Sequence, residues 1–317
     1  MKPKVSIIIP VYNGANFLKE AIDSALVQTY KNIEILVIDD GSRDNGKTAK
    51  IAQSFGKKIR YYKKENGGVA SALNFGIKRM KGEYFAWLSH DDLFLPNKTQ
   101  IQIDFLKKLP EKVVLYGDFE LIDAKNNILS TIKIKAPQYN QFVYELIKKR
   151  FIHGCTILVP KSGFKEAGIF NEKLLNAQDY EMWFRFFKKG YLFSHIPQVL
   201  VKGRIHAGQG SYLTQNVQII DEEYVYAWAL KSFSPKELFG KVKDKAYCYL
   251  DLSFSLKKGN VPRAAALARK LALKNLSYNN FLFDFFFYVY CSVWDRRINL
   301  QYWENVIYKF LKPLLKR

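Results

Sequence analysis

Short β-branched runs alternating with helical patterns over the first hundred residues constrain this chain most, because that rhythm belongs to βαβ units feeding a mostly parallel sheet. Strands are expected over residues 5–9, closed by Pro10, over 33–38, closed by Asp39-Asp40, over 58–62, followed by Asn66-Gly67-Gly68, and over 84–88, closed by Ser89-His90-Asp91-Asp92. Three helices lie between them. In the first, Phe17, Leu18, Ala21, Ile22, Ala25 and Leu26 recur at spacings of three and four, one apolar stripe for the sheet. The third, over 69–80, repeats the pattern. Open α/β sheets bind ligands beyond the carboxyl ends of their strands, and all four ends here are polar or glycine-rich. A site is expected there.

From 113 to 134 the pattern turns to short extended pieces around Tyr116-Gly117-Asp118 and Asn126-Asn127, read as antiparallel additions. A helix over 139–149, a strand over 156–159, a helix over 180–189 and strands over 191–195 and 199–204 complete one α/β domain, taken as residues 1–215. After about Asn216 the chain reads as helical, with breaks at Ser232-Phe233-Ser234-Pro235, Gly259-Asn260 and Tyr278-Asn279-Asn280. Residues 216–317 are therefore a separate basic, aromatic-rich helical region.

With 317 residues, 48% hydrophobic and 25% charged, the chain has a sizeable core and is not disordered throughout. Cys155, Cys248 and Cys291 are too few for a disulfide framework and form no Cys-x-x-Cys pair, so a reducing, cytoplasmic setting is expected. Neither a signal peptide at Met1-Lys2-Pro3-Lys4 nor a membrane-spanning run is read.

The net charge of +21 asks for an anionic partner. Between Lys231 and Arg317 there are 17 Lys or Arg against 6 Asp or Glu, a balance of +11 that holds more than half of the excess. No nucleic-acid module accompanies it, so nucleic acid is not the expected partner. Phe281-Leu282-Phe283 and Phe285-Phe286-Phe287, near Arg296-Arg297 and the basic stretch 309–317, read instead as peripheral contact with an anionic membrane surface, on the inner face of the cytoplasmic membrane.

Neither Gly-x-Gly-x-x-Gly nor the Gly-x-x-x-x-Gly-Lys phosphate loop follows the early strands, which excludes the usual nicotinamide and P-loop chemistries. The strand ends offer carboxylates instead. A hard divalent cation takes oxygen ligands and keeps part of its shell for substrate phosphates, so one or two acids such as Asp91 and Asp92 suffice. Each candidate has a blander reading. Asp39 and Asp40 suit a turn, Asp91 and Asp92 a helix cap before Pro96, and Asp179 the N-cap of the helix containing Trp183. His206 as a lone histidine suits a structural role, as does His195 in its β pattern, while His153 beside Gly154 suits the acceptor side of a site.

Val5-Ser6-Ile7-Ile8-Ile9-Pro10-Val11-Tyr12-Asn13, Val37-Ile38-Asp39-Asp40-Gly41-Ser42-Arg43-Asp44 and Asn66-Gly67-Gly68 together resemble the nucleotide-binding half of family 2 glycosyltransferases. The resemblance implies the GT-A fold, a Rossmann-like mostly parallel sheet with antiparallel additions. It assigns donor binding to Pro10, Val11, Tyr12, Asp39, Asn66, Gly67, Gly68, Ser89, His90 and Asp91. Ser89 stands where the first acid of the family's Asp-x-Asp would be, leaving Asp91 in register. Gln178-Asp179-Tyr180-Glu181-Met182-Trp183 resembles the family's acidic pair before a Trp-containing helix, with Gln178 replacing the usual Glu and Asp179 keeping the base position. Arg204-Ile205-His206, with Ser211, resembles the closing Arg-x-His segment, and Asp91, Asp92 and His206 become the expected ligands of Mg²⁺ or Mn²⁺.

The implied activity is inverting transfer from a nucleotide diphosphate sugar, a uridine one by preference, to a saccharide or lipid-linked saccharide in bacterial surface polysaccharide or glycoconjugate assembly. A catalytically silent scaffold that binds nucleotide sugar or acceptor lipid is the alternative, favoured by Ser89 and Gln178 and opposed by Asp91 and Asp179.

Overall fold

Strand β1 (Val5–Val11) is buried along its whole length, and its apolar side chains seed the core of the first sheet. It lies parallel between β2 (Ile33–Asp39), paired from Val5↔Ile33 to Val11↔Asp39, and β4 (Tyr84–Trp87), paired from Val5↔Tyr84 to Ile8↔Trp87. With β3 (Arg60–Lys63) outside β2 and the short β8 (Val159–Pro160) antiparallel to β4, the order is β3-β2-β1-β4-β8. The computed structural model describes residues 2–209, 215–242 and 244–275.

Pro10 does not end β1 as expected; it pairs with Ile38 inside the strand. Beyond Ile8 the β4 side of β1 has no partner in the ladder, so the missing N–H of proline breaks no sheet bond there. Helices α1 (Leu18–Leu26), α2 (Lys47–Ser54) and α3 (Gly68–Arg79) are the crossovers. Leu18, Ala21, Ile22 and Ala25 of α1 are buried at the expected spacing.

A second sheet has the order β5-β9-β6-β7, made of β5 (Leu93–Phe94), β6 (Val113–Ile122), β7 (Ile128–Ile132) and β9 (Leu192–Arg204). The hairpin β6–β7 is antiparallel, as the sequence suggested, but β6 and β9 run parallel, and β9 is one strand where two were expected. Register shifts around Gly117 and Asp118 absorb the Ile196-Pro197 step, so the ladder resumes beyond the proline instead of breaking.

Of the strand expected over 156–159, Thr156 closes a 3₁₀ turn, Gly154–Thr156, Leu158 bridges antiparallel to Leu115, and Val159 opens β8. Helix α4 (Lys98–Leu106) escapes sequence pattern altogether, because Ile101, Ile103 and Phe105 alternate as in a strand. Helices α5 (Phe142–Lys149), α6 (Lys161–Ala167) and α7 (Gln178–Lys188) follow. Met182, Trp183, Phe184 and Phe186 of α7 are all fully buried, and Trp183 and Phe193 of β9 meet edge to face at 6.1 Å, which anchors α7.

The chain divides into compact units Met1–Val225 and Tyr226–Arg317, and the division falls inside the helix Gln215–Ser232. In the second unit the helix Lys245–Lys258 stops at the expected Gly259-Asn260 break, while Pro235–Phe239 and Pro262–Lys274 end at Gly240 and Asn275, where none was read; Ser234 with Glu237 forms a capping box. Among the described residues no helix is long and apolar enough to cross a membrane. Ser211, the break expected at Tyr278-Asn279-Asn280, and the aromatic and basic segments at 281–287, 296–297 and 309–317 lie outside the described residues.

Candidate functional site

Two loops lock together beyond the carboxyl ends of β2 and β3. The Asp40 carboxylate accepts from Gly67 N–H (3.1 Å to each oxygen), Gly68 N–H (2.7 Å) and Lys64 Nζ (2.7 Å), while Asn66 Nδ2 donates to the Asp40 carbonyl at 2.9 Å. The carboxylate thus serves the opening turn of α3, whose orphan N–H groups need acceptors. Gly41, at φ +77°, makes the turn possible, and a Cβ there would stand 2.8 Å from the Asn66 nitrogen. Arg43, Lys63 and Lys64 line the neighbouring cleft, about 660 Å³, with Gly41, Glu65 and Asn66. Its cations suit an anionic ligand.

Asp39, expected against the donor's base, is fully buried. Its oxygens accept from Ser42 N–H at 2.8 Å and from the Tyr61 hydroxyl at 2.7 Å. Burial, reinforced by Asp39, pushes the Tyr61 phenol up, so it remains a donor at neutral pH. The loop after β1 is tied to the same turn. Asn13, in the left-handed region at φ 49°, donates from its N–H to Ser42 Oγ (2.9 Å) and accepts at Oδ1 from Arg43 N–H (2.8 Å). Pro10 and Val11 are buried below, and Tyr12 stands 43% exposed on the rim.

Around the end of β4 the residues of Ser89-His90-Asp91-Asp92 part company. The Asp91 Oδ2 lies 3.1 Å from His206 Nε2, joining the loop after β4 to the chain beyond β9. The His90 ring packs over Gly14, and burial lowers its pKa against the opposing charge of Asp91. Ser89 turns toward Cys155, with N–H at 3.2 Å and Oγ at 3.3 Å from Sγ.

Asp92, expected beside Asp91 as a ligand, faces inward instead. Oδ1 accepts from Arg204 N–H at 2.9 Å, and Oδ2 accepts from Cys155 Sγ at 3.1 Å and lies 3.9 Å from His153 Nε2. Burial and the Asp91 charge raise its pKa. The carboxyl, imidazole and thiol of Asp92, His153 and Cys155 have donor atoms within 4.8 Å of one another, yet they satisfy each other and the backbone: His153 Nδ1 accepts from Cys155 N–H at 3.3 Å, which leaves the ring proton on Nε2.

Arg204, fully buried, clamps this region. Its guanidinium donates to the Asp91 carbonyl (2.8 Å), to the Asp123 and Ala124 carbonyls (3.2 and 3.3 Å) and to Glu20 (3.0 Å), and it lies 4.3 Å from the Phe17 ring centroid. Phe17 also meets the His206 ring edge-on at 5.0 Å.

Asp179 is the second residue of α7, and the N-cap is Ala177, so Asp179 is not the cap that its residue type suggested. Its Oδ1 accepts from Tyr180 N–H at 2.9 Å. Burial raises the carboxyl's pKa, and the charges of Arg150 and His153 draw it back. His153 in turn is held neutral by burial, its pKa lowered to about 4 against the pull of Asp179 and Asp91. The charges of both carboxylates singled out in the sequence therefore bear on one half-buried imidazole. Gly203 makes room for it, since a Cβ there would stand 2.8 Å from His153 Nε2. Gln178 is buried, with Oε1 facing no hydrogen-bond partner. His195 Nε2 donates to Asp118 Oδ1 at 2.7 Å and sits away from this cluster in the β6–β9 ladder.

Sequence reading missed Tyr61, Asn13, Cys155, Arg150 and the depth of Arg204. Asn13 and Arg204 lie inside quoted motifs but drew no role there, and Tyr61, Cys155 and Arg150 belong to none.

The model described as glycosyl transferase family 2 matches residues 6–168. The chain is 46% identical over 283 residues to the uncharacterized glycosyltransferase RC0461 of Rickettsia conorii, covering 86% of this chain and 46% of that one, so it spans less than half of that relative's length. It is 45% identical over 281 residues to the uncharacterized glycosyltransferase RT0329 of Rickettsia typhi, covering 86% of each. Among solved structures it is similar to S. aureus TarS 1-349 in complex with UDP-GlcNAc (TM-score 0.60, 17% identity, 86% of this chain and 82% of that one). It is also similar to the mannosyltransferase PcManGT from Pyrobaculum calidifontis in complex with GDP-Man and Mn2+ (TM-score 0.57, 18% identity, 89% and 78%). At these identities the likeness is one of fold, and the fold is GT-A.

Proposed function

The chain belongs to glycosyl transferase family 2, and from that premise we propose that it moves a sugar from a nucleotide diphosphate donor, a uridine one by preference, to an acceptor hydroxyl with inversion. The observation that carries this reading is the position of Asp91, 3.1 Å from His206 beyond β4, and of Asp179 in the first turn of α7, an acid suited to the leaving diphosphate and an acid suited to the attacking hydroxyl. The UDP-GlcNAc and GDP-Man of the fold neighbours support a nucleotide diphosphate sugar as the donor class.

In this reading the cationic cleft and the Asn66-Gly67-Gly68 turn receive the nucleotide, with Pro10, Val11, Tyr12 and Asp39 toward the base and Ser89, His90 and Asp91 toward the diphosphate. Asp91 and His206 offer an oxygen and a nitrogen donor, a set that fits Mn²⁺ and, less well, the oxygen-preferring Mg²⁺, with room for diphosphate oxygens. A cation held there supplies charge neutralisation for the leaving group. Asp92 faces away from His206, and its donor atoms lie with those of His153 and Cys155, within 4.8 Å of one another.

Asp179 takes the acceptor proton while the acceptor oxygen bonds to the anomeric carbon. The bond to the diphosphate oxygen breaks in the same displacement, its electron pair leaving with the diphosphate. One displacement inverts the centre. The acceptor we propose is a saccharide or lipid-linked saccharide of bacterial surface polysaccharide or glycoconjugate assembly, approached with the basic residues after 275 against an anionic membrane face.

The test is release of nucleoside diphosphate from a panel of UDP- and GDP-sugars with Mn²⁺ or Mg²⁺, for wild type, Asp91→Asn and Asp179→Asn. Metal-stimulated release that both variants lose by about a hundredfold or more is expected. Undiminished release in Asp179→Asn, or product of retained configuration by NMR, would refute the mechanism.

A further inference from the structure

Arg150 closes α5 with φ 44° and ψ 56°, a left-handed conformation that favours glycine, yet the position carries a long cationic side chain. That side chain is fixed from several directions. Glu222, on the helix Gln215–Ser232, is buried and pairs with its guanidinium, and Gln218 one turn earlier donates to the same Glu222 oxygen at 2.7 Å. The guanidinium carbon lies 5.0 Å from the ring centroid of Tyr180, the residue after Asp179. The same helix holds the approach to α7. Asp221 Oδ2 accepts from Leu175 N–H at 2.6 Å and Asn176 N–H at 2.8 Å, just ahead of the α7 N-terminus.

We propose that Arg150 is a positioning residue for the Asp179 carboxylate, fixed by Glu222 and by its own strained backbone so that a cation stands over the first turn of α7. This rests on the assignment of Asp179 as base. The charged and titratable groups that bear on Asp179 are Arg150 at the end of α5 and His153 in the following turn; on α7 itself Glu181 is committed to Arg185. His153 is neutral at physiological pH, so Arg150 is the standing positive charge among them. Burial works against ionisation of Asp179, and a fixed cation offsets it, which favours the ionised carboxylate that a base needs. The strain at residue 150 has a use on this account: a relaxed helix end would send the side chain elsewhere.

The test uses the full chain with aspartate carboxyl carbons labelled with carbon-13, the Asp179 signal being identified by its loss in Asp179→Asn. Arg150→Gly removes the cation and suits the left-handed backbone, and is made together with Glu222→Gln so that no buried carboxylate is left unpaired; Arg150→Lys in the same background keeps a charge, and Glu222→Gln alone is the reference for both. The Asp179 titration midpoint is expected to rise by about one pH unit in Arg150→Gly and by half of that or less in Arg150→Lys. A midpoint unmoved in Arg150→Gly overturns the proposal. Hydrolysis of UDP-GlcNAc with Mn²⁺, in which water replaces the acceptor hydroxyl, is read on the same proteins. Asp179→Asn hydrolysing as fast as wild type refutes the base assignment, while the titration decides the role of Arg150 by itself.

Discussion

Lys98, the first residue of α4, is fully buried, and its ammonium nitrogen meets only neutral groups: Gln102 Oε1 at 2.9 Å, the Ile157 carbonyl at 3.2 Å and the Phe94 ring, whose centroid is 4.2 Å away. Burial, opposed by Cys155, lowers its pKa from 10.5 to about 7. That displacement, about 3.5 pH units at about 1.4 kcal/mol per unit, is a penalty of about 5 kcal/mol on the folded state at pH 7.

The sign follows from proton counting. Between pH 7 and 10.5 the unfolded chain carries the proton and the folded chain does not, so the Lys98 contribution improves as pH rises and is constant below 7. Lys98→Met removes the penalty and leaves the two acceptors without a donor, a loss of about 1 kcal/mol each. The variant should therefore be more stable than wild type by about 3 kcal/mol at pH 7 and less stable by about 1 to 2 kcal/mol above pH 10. Urea denaturation of both proteins at pH 7, 8, 9 and 10 reads the difference directly. A stability difference that is flat with pH, or that favours wild type at pH 7, would refute the reasoning.

His206→Ala should weaken Mn²⁺-dependent UDP binding about tenfold or more in calorimetry while leaving the melting temperature within a few degrees, since the ring gives up its contact with Asp91 and one edge-on contact with Phe17. Gly203→Ala places a methyl carbon against His153 Nε2, so the ring must shift; kcat should fall at least tenfold with UDP affinity retained, and equal losses in both would argue for general misfolding. The doubly substituted full chain Arg296→Glu and Arg297→Glu should sediment less with phosphatidylserine vesicles than wild type, by about 2 kcal/mol or more in partition free energy. Equal sedimentation would remove the membrane from the proposed function.

The alternation of β-branched runs and apolar stripes was enough to place β1 to β4, α1 and α3, because the signals that place them, runs and stripes closed by polar or glycine-rich residues, are written in neighbouring positions. Where the buried face of an element carries polar residues, the period is lost. In α4 the buried set includes Lys98, Thr99 and Gln102, polar residues whose partners Gln28, Thr156 and Ile157 are distant in the chain, and no local pattern announces such a helix.

The site divides in the same way. The sequence by itself determined which carboxylates stand at strand ends and at the head of the Trp183 helix, since strand direction and helix start are local properties. Only the tertiary structure decided that Asp91 turns to His206 while its neighbour Asp92 turns to Arg204 and Cys155, that Asp40 caps α3, and that Arg150 stands over Tyr180. These outcomes depend on pairing across 27 to 115 residues of separation, where the desolvation of each acid must be met by whichever donor the packed fold brings to it.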